Sequence, residues 1–254
     1  MRLRLLSYNI HKGFNVGNRD FILKQIKSSI RETKATLVCL QEVLGSHSGH
    51  ASRIQDWPKS SQFEFLADQT WDHYAYGKNS VYSEGHHGNA ILSKHPIISF
   101  ENEDASTNKL ERRGFLHAVI KVPHFGVIHV INIHLNLFER DRMTQLKQLC
   151  NRVKRTIPEN EALIIAGDFN DWRKSATVLL GEELGMKEAF IEKQGAHAKT
   201  FPSVFPVFCL DRIYFRGLRC ASVKLLHNPL FRSLSDHLPI IAEFELEQIA
   251  SQKS

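Results

Sequence analysis

Short apolar runs that stop abruptly at an amide or a carboxylate constrain this chain more than any other feature. Ala35-Thr36-Leu37-Val38-Cys39-Leu40 ends at Gln41-Glu42, and Ala162-Leu163-Ile164-Ile165-Ala166 ends at Gly167-Asp168. A run this short and this apolar suits a strand buried on both faces. Residues 3–8 read the same way and close at Asn9. Residues 19–33 place Phe21, Ile22, Ile26 and Ile30 at helical spacing, and 140–157 put Met143, Leu146, Leu149, Val153 and Ile157 on one helical face. Further strand patterns fall at 89–93, 114–122 and 126–135, the last two flanking Pro123-His124 as a hairpin, and late strands at 210–216, 219–226 and 238–246. The polar stretch 44–62 reads as a long surface loop, and a loop of that length in a compact domain is more often functional than not. Strand–helix–strand units together with hairpins imply mixed sheets in an α/β layered domain.

That arrangement has a geometric consequence. Asn9, Glu42, His134 and Asp168 follow their strands, whereas Asp211 and Asp236-His237 precede theirs. Strand ends of opposite sense meet at one rim only if the late strands run antiparallel to the early ones. Two mixed sheets packed face to face would gather all these polar groups in one place.

The 254 residues are 42% hydrophobic, enough for a sizeable core, and no Gly/Ser- or Pro-rich linker divides them. One domain over 1–249 is expected, with 250–254 as a frayed tail. The N-terminus runs directly into a strand pattern without signal-peptide organisation, and no run is long enough to span a bilayer. Cys39, Cys150, Cys209 and Cys220 show no C-x-x-C pairing, so reduced thiols in a cytoplasmic protein are expected rather than a disulfide framework. The formal charge of +6 fits a polyanionic substrate without establishing one. No obligate protein partner is evident.

Four segments carry chemistry: Ser7-Tyr8-Asn9, Gln41-Glu42-Val43, Gly167-Asp168-Phe169-Asn170 and Ser235-Asp236-His237. A carboxylate at the end of an apolar strand needs a cation, donors or water, because burying it unpaired costs several kcal/mol. Glu42 is therefore the leading metal candidate. Asn9, Glu42 and Asp236 together form an oxygen-rich set suited to Mg²⁺, with Mn²⁺ able to substitute; the competing role for Glu42 is capping of the next loop. Asp168 and Asn170 lie two apart in extended chain and can share a face, where the carboxylate could prepare a water and the amide donate to phosphate. An Asx turn is the alternative there. A histidine donating to a phosphoryl oxygen needs its other ring nitrogen held by an acceptor, and Asp211 in Leu210-Asp211-Arg212-Ile213-Tyr214 is the expected partner of His237, against pairing of Asp211 with Arg212. His134 is either a second phosphate donor or a core histidine, since strand alternation would bury His129 or His134 on one side. Asn89 and Arg113 are candidate substrate contacts, with strand initiation and a solvated basic face as their alternatives; Lys12 and Arg112 are read like Arg113. His86-His87 and His47/His50 lack transition-metal spacing. The stretch 201–208 is apolar and turn-rich, able to stack bases, dip into a lipid interface or pack beneath the sheet rim.

In this order, and with Gly-Asn-Ala-Ile-Leu-Ser and Leu-Asp-Arg-Ile-Tyr between them, the segments resemble the endonuclease/exonuclease/phosphatase superfamily, or DNase I-like fold, over nearly the whole chain. Asn-Ile-His-Lys-Gly and Glu-Gly-His-His-Gly-Asn-Ala make it most similar to uncharacterised bacterial members. The resemblance implies a four-layer α-β-β-α sandwich and a divalent cation, usually magnesium. It assigns Glu42 as principal metal ligand with Asn9 and Asp236 beside it, Asp168 to the attacking water, Asn170 to phosphate, and His237, oriented by Asp211, to the scissile phosphate. His134 stands where some members have a second histidine and others a tyrosine. No motif residue is missing. Neither a long basic insertion nor an apolar membrane-anchoring hairpin is evident. A Mg²⁺-dependent phosphodiester hydrolase is expected, acting on nucleic acid ahead of a phospholipid or inositol-phosphate head group.

Overall fold

The computed structural model describes residues 1–246, and the expected frayed tail, 250–254, lies outside the described residues. The chain opens with β1 (Arg2–Asn9), a 3-10 turn at His11–Gly13, and helix α1 (Leu23–Glu32). It continues through β2 (Leu37–His47), α2 (Ser48–Arg53), α3 (Gln62–Ala67), β3 (His73–Tyr82), β4 (Gly85–Ser93) and β5 (Ile97–Asp104). Then come β6 (Gly114–Val122), β7 (Gly126–His134), α4 (Glu139–Thr156), β8 (Ala162–Asp168), α5 (Ser175–Leu184), β9 (Lys187–Glu188) and α6 (Ala189–Gln194). The last elements are β10 (Asp211–Arg216), β11 (Arg219–Leu225), α7 (Pro229–Leu234) and β12 (Ile240–Glu245).

Among the described residues the strands form two six-stranded mixed sheets, ordered β11-β12-β1-β2-β4-β3 and β5-β6-β7-β8-β10-β9. Each contains one parallel pair, β1–β2 and β7–β8, joined by the crossovers that carry α1 and α4. The late strands run against them: β12 pairs antiparallel to β1, and β10 antiparallel to β8. The sheets face each other over a core that includes Leu3, Leu5, Cys39, Ile91, Ala118, Val130, Ile164, Ile213 and Phe244. Outside, α1, α3 and α7 pack on one sheet around Tyr8, Ile26, Leu40, Leu66 and Phe231, and α4 and α5 cover the other around Ile133, Leu149, Ile165 and Leu180. The result is the four-layer sandwich, with hydrophobic burial on three parallel planes.

A buried polar bridge fixes the two sheets relative to each other. Asn132 on β7 donates to the carbonyls of Leu40 and Ala90, both at 2.8 Å, and its oxygen accepts from Gln41 Nε2 at 2.7 Å. Such a network ties β2, β4 and β7 into one register, because a half-satisfied buried amide is costly.

Several elements depart from expectation. The 44–62 loop is largely structured: β2 runs on to His47 through a bulge and α2 follows. Strands β3 and β5 went unread because their outer residues alternate irregularly and stay partly wet. Both His129 and His134 are buried, on opposite faces of β7, since helices cover one side and the other sheet covers the second. All four cysteines are free thiols. No helix among the described residues is long and apolar enough to cross a membrane.

Candidate active site

The polar ends of the central strands meet at one rim. Parallel pairing sets Asn9 beside Gln41, so Asn9 and Glu42 are neighbours, and it sets His134 beside Asp168. Antiparallel pairing of β10 with β8 places Asp211 opposite Asp168. The turn before β12 brings Asp236-His237 to the same rim, pinned where Ser235 Oγ donates to the Asn9 carbonyl at 2.8 Å. Two backbone features shape the carboxylate positions. Glu42 sits at φ 55, in left-handed territory that side chains seldom occupy, directly where β2 bulges. Gly167 has φ +143, and a Cβ there would meet the Ile133 carbonyl oxygen at 2.0 Å, so only glycine lets β8 close on β7 beside Asp168.

Above this rim lies a cavity of about 530 Å³, lined on its polar side by Glu42, Arg113, His134, Asp168, Asn170, Asp236 and His237. Its other wall is apolar: Leu137, Trp172, Phe201, Phe208 and Leu210. His237 sits between two carboxylates. Its Nδ1 donates to Asp211 Oδ2 at 2.8 Å, and its Nε2 lies 3.7 Å from Asp168 Oδ2. Burial alone would discharge this imidazole, but Asp211 and Asp168 outweigh it and push its pKa up to about 10. Burial drives Asp168 the other way, above the ordinary carboxylate range, opposed by His237 and by hydrogen bonds from the Asn170 backbone N–H and Asn9 Nδ2. His134 Nε2 is 3.5 Å from the same carboxylate oxygen, and burial together with Arg113 holds its pKa well below the usual imidazole value. The pair is thus asymmetric: a cationic His237 and a neutral His134 flank Asp168.

Asn9, Glu42 and Asp236 lie beside this group. Asn9 Nδ2 is shared between Glu42 Oε1 at 3.3 Å and Asp168 Oδ2 at 3.2 Å, while its oxygen accepts the His11 N–H at 3.1 Å. Asp236 is held by His11, whose Nδ1 lies 3.1 Å from Oδ1; burial raises its pKa, yet His11 and His237 leave it below the ordinary carboxylate value. The carboxylates of Glu42 and Asp236, both half-buried and on the cavity lining, offer oxygen ligands that fit a hard divalent cation, while Asn9 spends its oxygen on His11 and turns its nitrogen toward Glu42. A second grouping, Asp168, Asp211 and His237, also has ligand atoms within 4.8 Å of one another. Its histidine already spends Nδ1 on Asp211, so it fits a proton-holding relay better than a cation.

Not every expected residue reaches the cavity. Asn89 is buried between the sheets, its amide 3.4 and 3.5 Å from the carbonyls of Gly114 and Asn132, and it is not among the residues lining the cavity. Asp211 and Asn9 lie behind the lining rather than on it. Arg113 does line the mouth, 3.3 Å from Glu111. His47 and His50 stack ring on ring at 3.8 Å, and His86 meets the Tyr76 hydroxyl at 3.0 Å; they are packing groups. Arg212 turns from Asp211 to Asp171, donating at 2.9 Å. His11, Trp172 and Leu137 escaped the sequence reading; His11 and Trp172 each stand two residues beyond a motif asparagine, the one signal that could have flagged them.

The chain belongs to the endonuclease/exonuclease/phosphatase family: the family's sequence profile matches residues 6–237. Its fold is the DNase I-like one, and members of the family are hydrolases acting on phosphoester bonds that generally use a divalent metal. It is 45% identical over 244 residues to the uncharacterized protein YbhP of Escherichia coli K12, covering 96% of both chains. Among solved structures, an endonuclease/exonuclease/phosphatase from Beutenbergia cavernae superposes with TM-score 0.79 at 19% identity, over 96% of this chain and 72% of that one. D. rerio TDP2 complexed with a single-strand DNA product gives TM-score 0.69 at 18% identity, over 96% and 99%.

Proposed function

We propose that this chain is a Mg²⁺-dependent phosphodiester hydrolase, with Mn²⁺ able to substitute. Glu42, steadied by Asn9, and Asp236, steadied by His11, would hold the cation, which when bound neutralises charge on the phosphate oxygens. Asp168 is the group that positions and deprotonates the attacking water. His237, kept protonated and aimed by Asp211, donates from Nε2 to the phosphoryl oxygens as charge builds on them. Asn170 gives one amide N–H to the Leu135 carbonyl at 2.9 Å and keeps the other for phosphate. The neutral His134 supplies a second donor, and Arg113 adds positive charge at the mouth. The observation that carries this reading is His237 lodged between Asp211 and Asp168 at the floor of the cavity that Glu42 and Asp236 also line.

Two substrate readings follow from different walls of that cavity. The net charge of +6 and the fold shared with a DNA-bound TDP2 support nucleic acid. The apolar wall supports a phospholipid head-group diester. Wild type and Glu42→Ala, assayed with Mg²⁺ and Mn²⁺ against plasmid DNA, abasic duplex, single-stranded RNA, phospholipid and an aryl phosphodiester, test the reading. Metal-dependent turnover of at least one diester, lost in Glu42→Ala, is expected; no turnover of any diester with either metal rejects it. A steep loss of binding with salt marks the nucleic-acid reading.

A further inference from the structure

The surface beside the mouth is more apolar than a monomer needs. Leu137 and Phe138 on the β7–α4 connection and Trp172 on the β8–α5 connection are exposed. So are Val204, Phe205, Val207 and Phe208, on a loop pinched shut by the Phe201–Phe208 bridge. These seven side chains are 42 to 76% exposed, with Phe205 the most prominent. Leu137, Trp172 and Phe208 also line the cavity, so the exposed patch is continuous with the proposed site. Exposed apolar side chains gathered at one place mark an interaction surface.

The three loops are held rigidly from below. Arg142, almost completely buried, donates to the Leu137 carbonyl at 2.8 Å and carries its guanidinium 4.6 Å from the Trp172 ring centre. Arg212, equally buried, donates to Asp171 at 2.9 Å and to the Cys209 carbonyl at 3.1 Å. Asp171 stands between the two arginines, so one buried ionic cluster clamps all three loops by their backbones. An apolar surface with such a base is a built feature, because the buried charges demand fixed partners.

We propose that this face docks on an anionic phospholipid surface and seats the mouth against head-group phosphodiesters; the substrate half of this rests on the hydrolase reading above. The chemistry favours lipid over bases. Phe138, Trp172, Phe205 and Phe208 carry rings, but Leu137, Val204 and Val207 between them do not stack. Ser203, the one hydroxyl between Pro202 and Phe208, is buried and donates to the Arg232 carbonyl at 3.0 Å, leaving the loop no polar side chain to read a base edge. No acidic residue occurs from 193 to 210, while Arg140, Lys174 and Lys199 are exposed on or beside the same loops. Apolar tips flanked by cations match the interface of an anionic bilayer.

Cosedimentation with phosphatidylglycerol/phosphatidylcholine vesicles tests this, alongside binding to single-stranded oligothymidylate and hydrolysis of the soluble diester bis(p-nitrophenyl) phosphate. Wild type should partition onto the vesicles. Val204→Ser/Phe205→Ser should lose about tenfold or more of that partition while keeping its turnover of the soluble diester. Phe205→Trp should keep binding and shift its fluorescence to the blue on vesicles. Absence of wild-type partition, or partition unaffected by the double variant, overturns the docking face. So does loss of oligonucleotide binding, rather than vesicle binding, in the double variant. Soluble turnover without vesicle binding removes the docking face and leaves the hydrolase reading standing. Vesicle binding without turnover of any diester does the reverse.

Discussion

Asp168 and Asp211 are paired residues across the antiparallel β8–β10 ladder, and His237 from a third segment lies between them. Two buried carboxylates placed this close repel each other. The imidazolium between them offsets that repulsion, which ties its position to strand register rather than to any local turn.

Loss of either reacting partner should disable the site while sparing the fold. Asp168→Asn and His237→Ala are each expected to lower turnover of an aryl phosphodiester by roughly 10²–10³, as removal of one transition-state donor or base does. Purified variants should keep cooperative unfolding. Retention of more than about a tenth of activity in both would reject these roles.

The left-handed conformation of Glu42 separates its chemistry from its backbone. Glu42→Gly removes the carboxylate and relieves the conformational cost, whereas Glu42→Ala removes only the carboxylate. The glycine variant should therefore be more stable than the alanine variant by about 1 kcal/mol. Both should lose Mg²⁺ binding, read by calorimetry and by the absence of a Mg²⁺-dependent rise in melting temperature.

Gly167→Ala is expected to be among the most damaging single-methyl changes in the chain. The added carbon meets the Ile133 backbone oxygen, which cannot retreat without breaking the β7–β8 ladder. A loss of roughly 3–5 kcal/mol in denaturant unfolding is expected. A loss below about 1 kcal/mol would mean that the ladder accommodates a side chain there.

Stability should fall on mild acidification, partly through His117. Its Nε2 meets His129 Nδ1 at 2.9 Å, and His129 in turn contacts Glu161, with Arg152 of α4 and Glu101 of β5 nearby. Burial, and secondarily His129, lowers its pKa to about 4. Between that value and the unfolded value near 6.5 the unfolded chain binds more protons, so stability rises with pH across this window. Its contribution is complete above pH 6.5 and is lost as pH falls toward 4, on the order of 2 kcal/mol by pH 5. His117→Leu should flatten the drop in melting temperature between pH 7 and pH 5; an unchanged drop would remove His117 from the explanation.

Much of the architecture could be read from periodicity. The apolar runs ending at Asn9, Glu42 and Asp168 mark central strands, and the 3.6-residue spacing in 140–157 marks α4, because elements buried on both faces, or along one full stripe, leave the clearest patterns. The partly wet strands β3 and β5 and the short helices α5 to α7 left no such trace. Residue identity nominated Glu42, Asp168, Asp236 and His237 as a set, since carboxylates and imidazoles at strand ends need partners. Asn89 lies apart from that set: the sequence makes it look like a strand start, whereas it sits inside β4 with its amide in the gap between the sheets.

Residue order alone thus determined which strands are central, which of their ends are polar, and that those ends can meet only if early and late strands oppose each other. What only the packed molecule decided is how far apart those ends lie, which ring nitrogen faces which carboxylate, and that apolar loops distant in the chain share one rim. Those quantities depend on sheet register and on the Arg142–Asp171–Arg212 cluster, long-range contacts to which no local pattern of side chains can point.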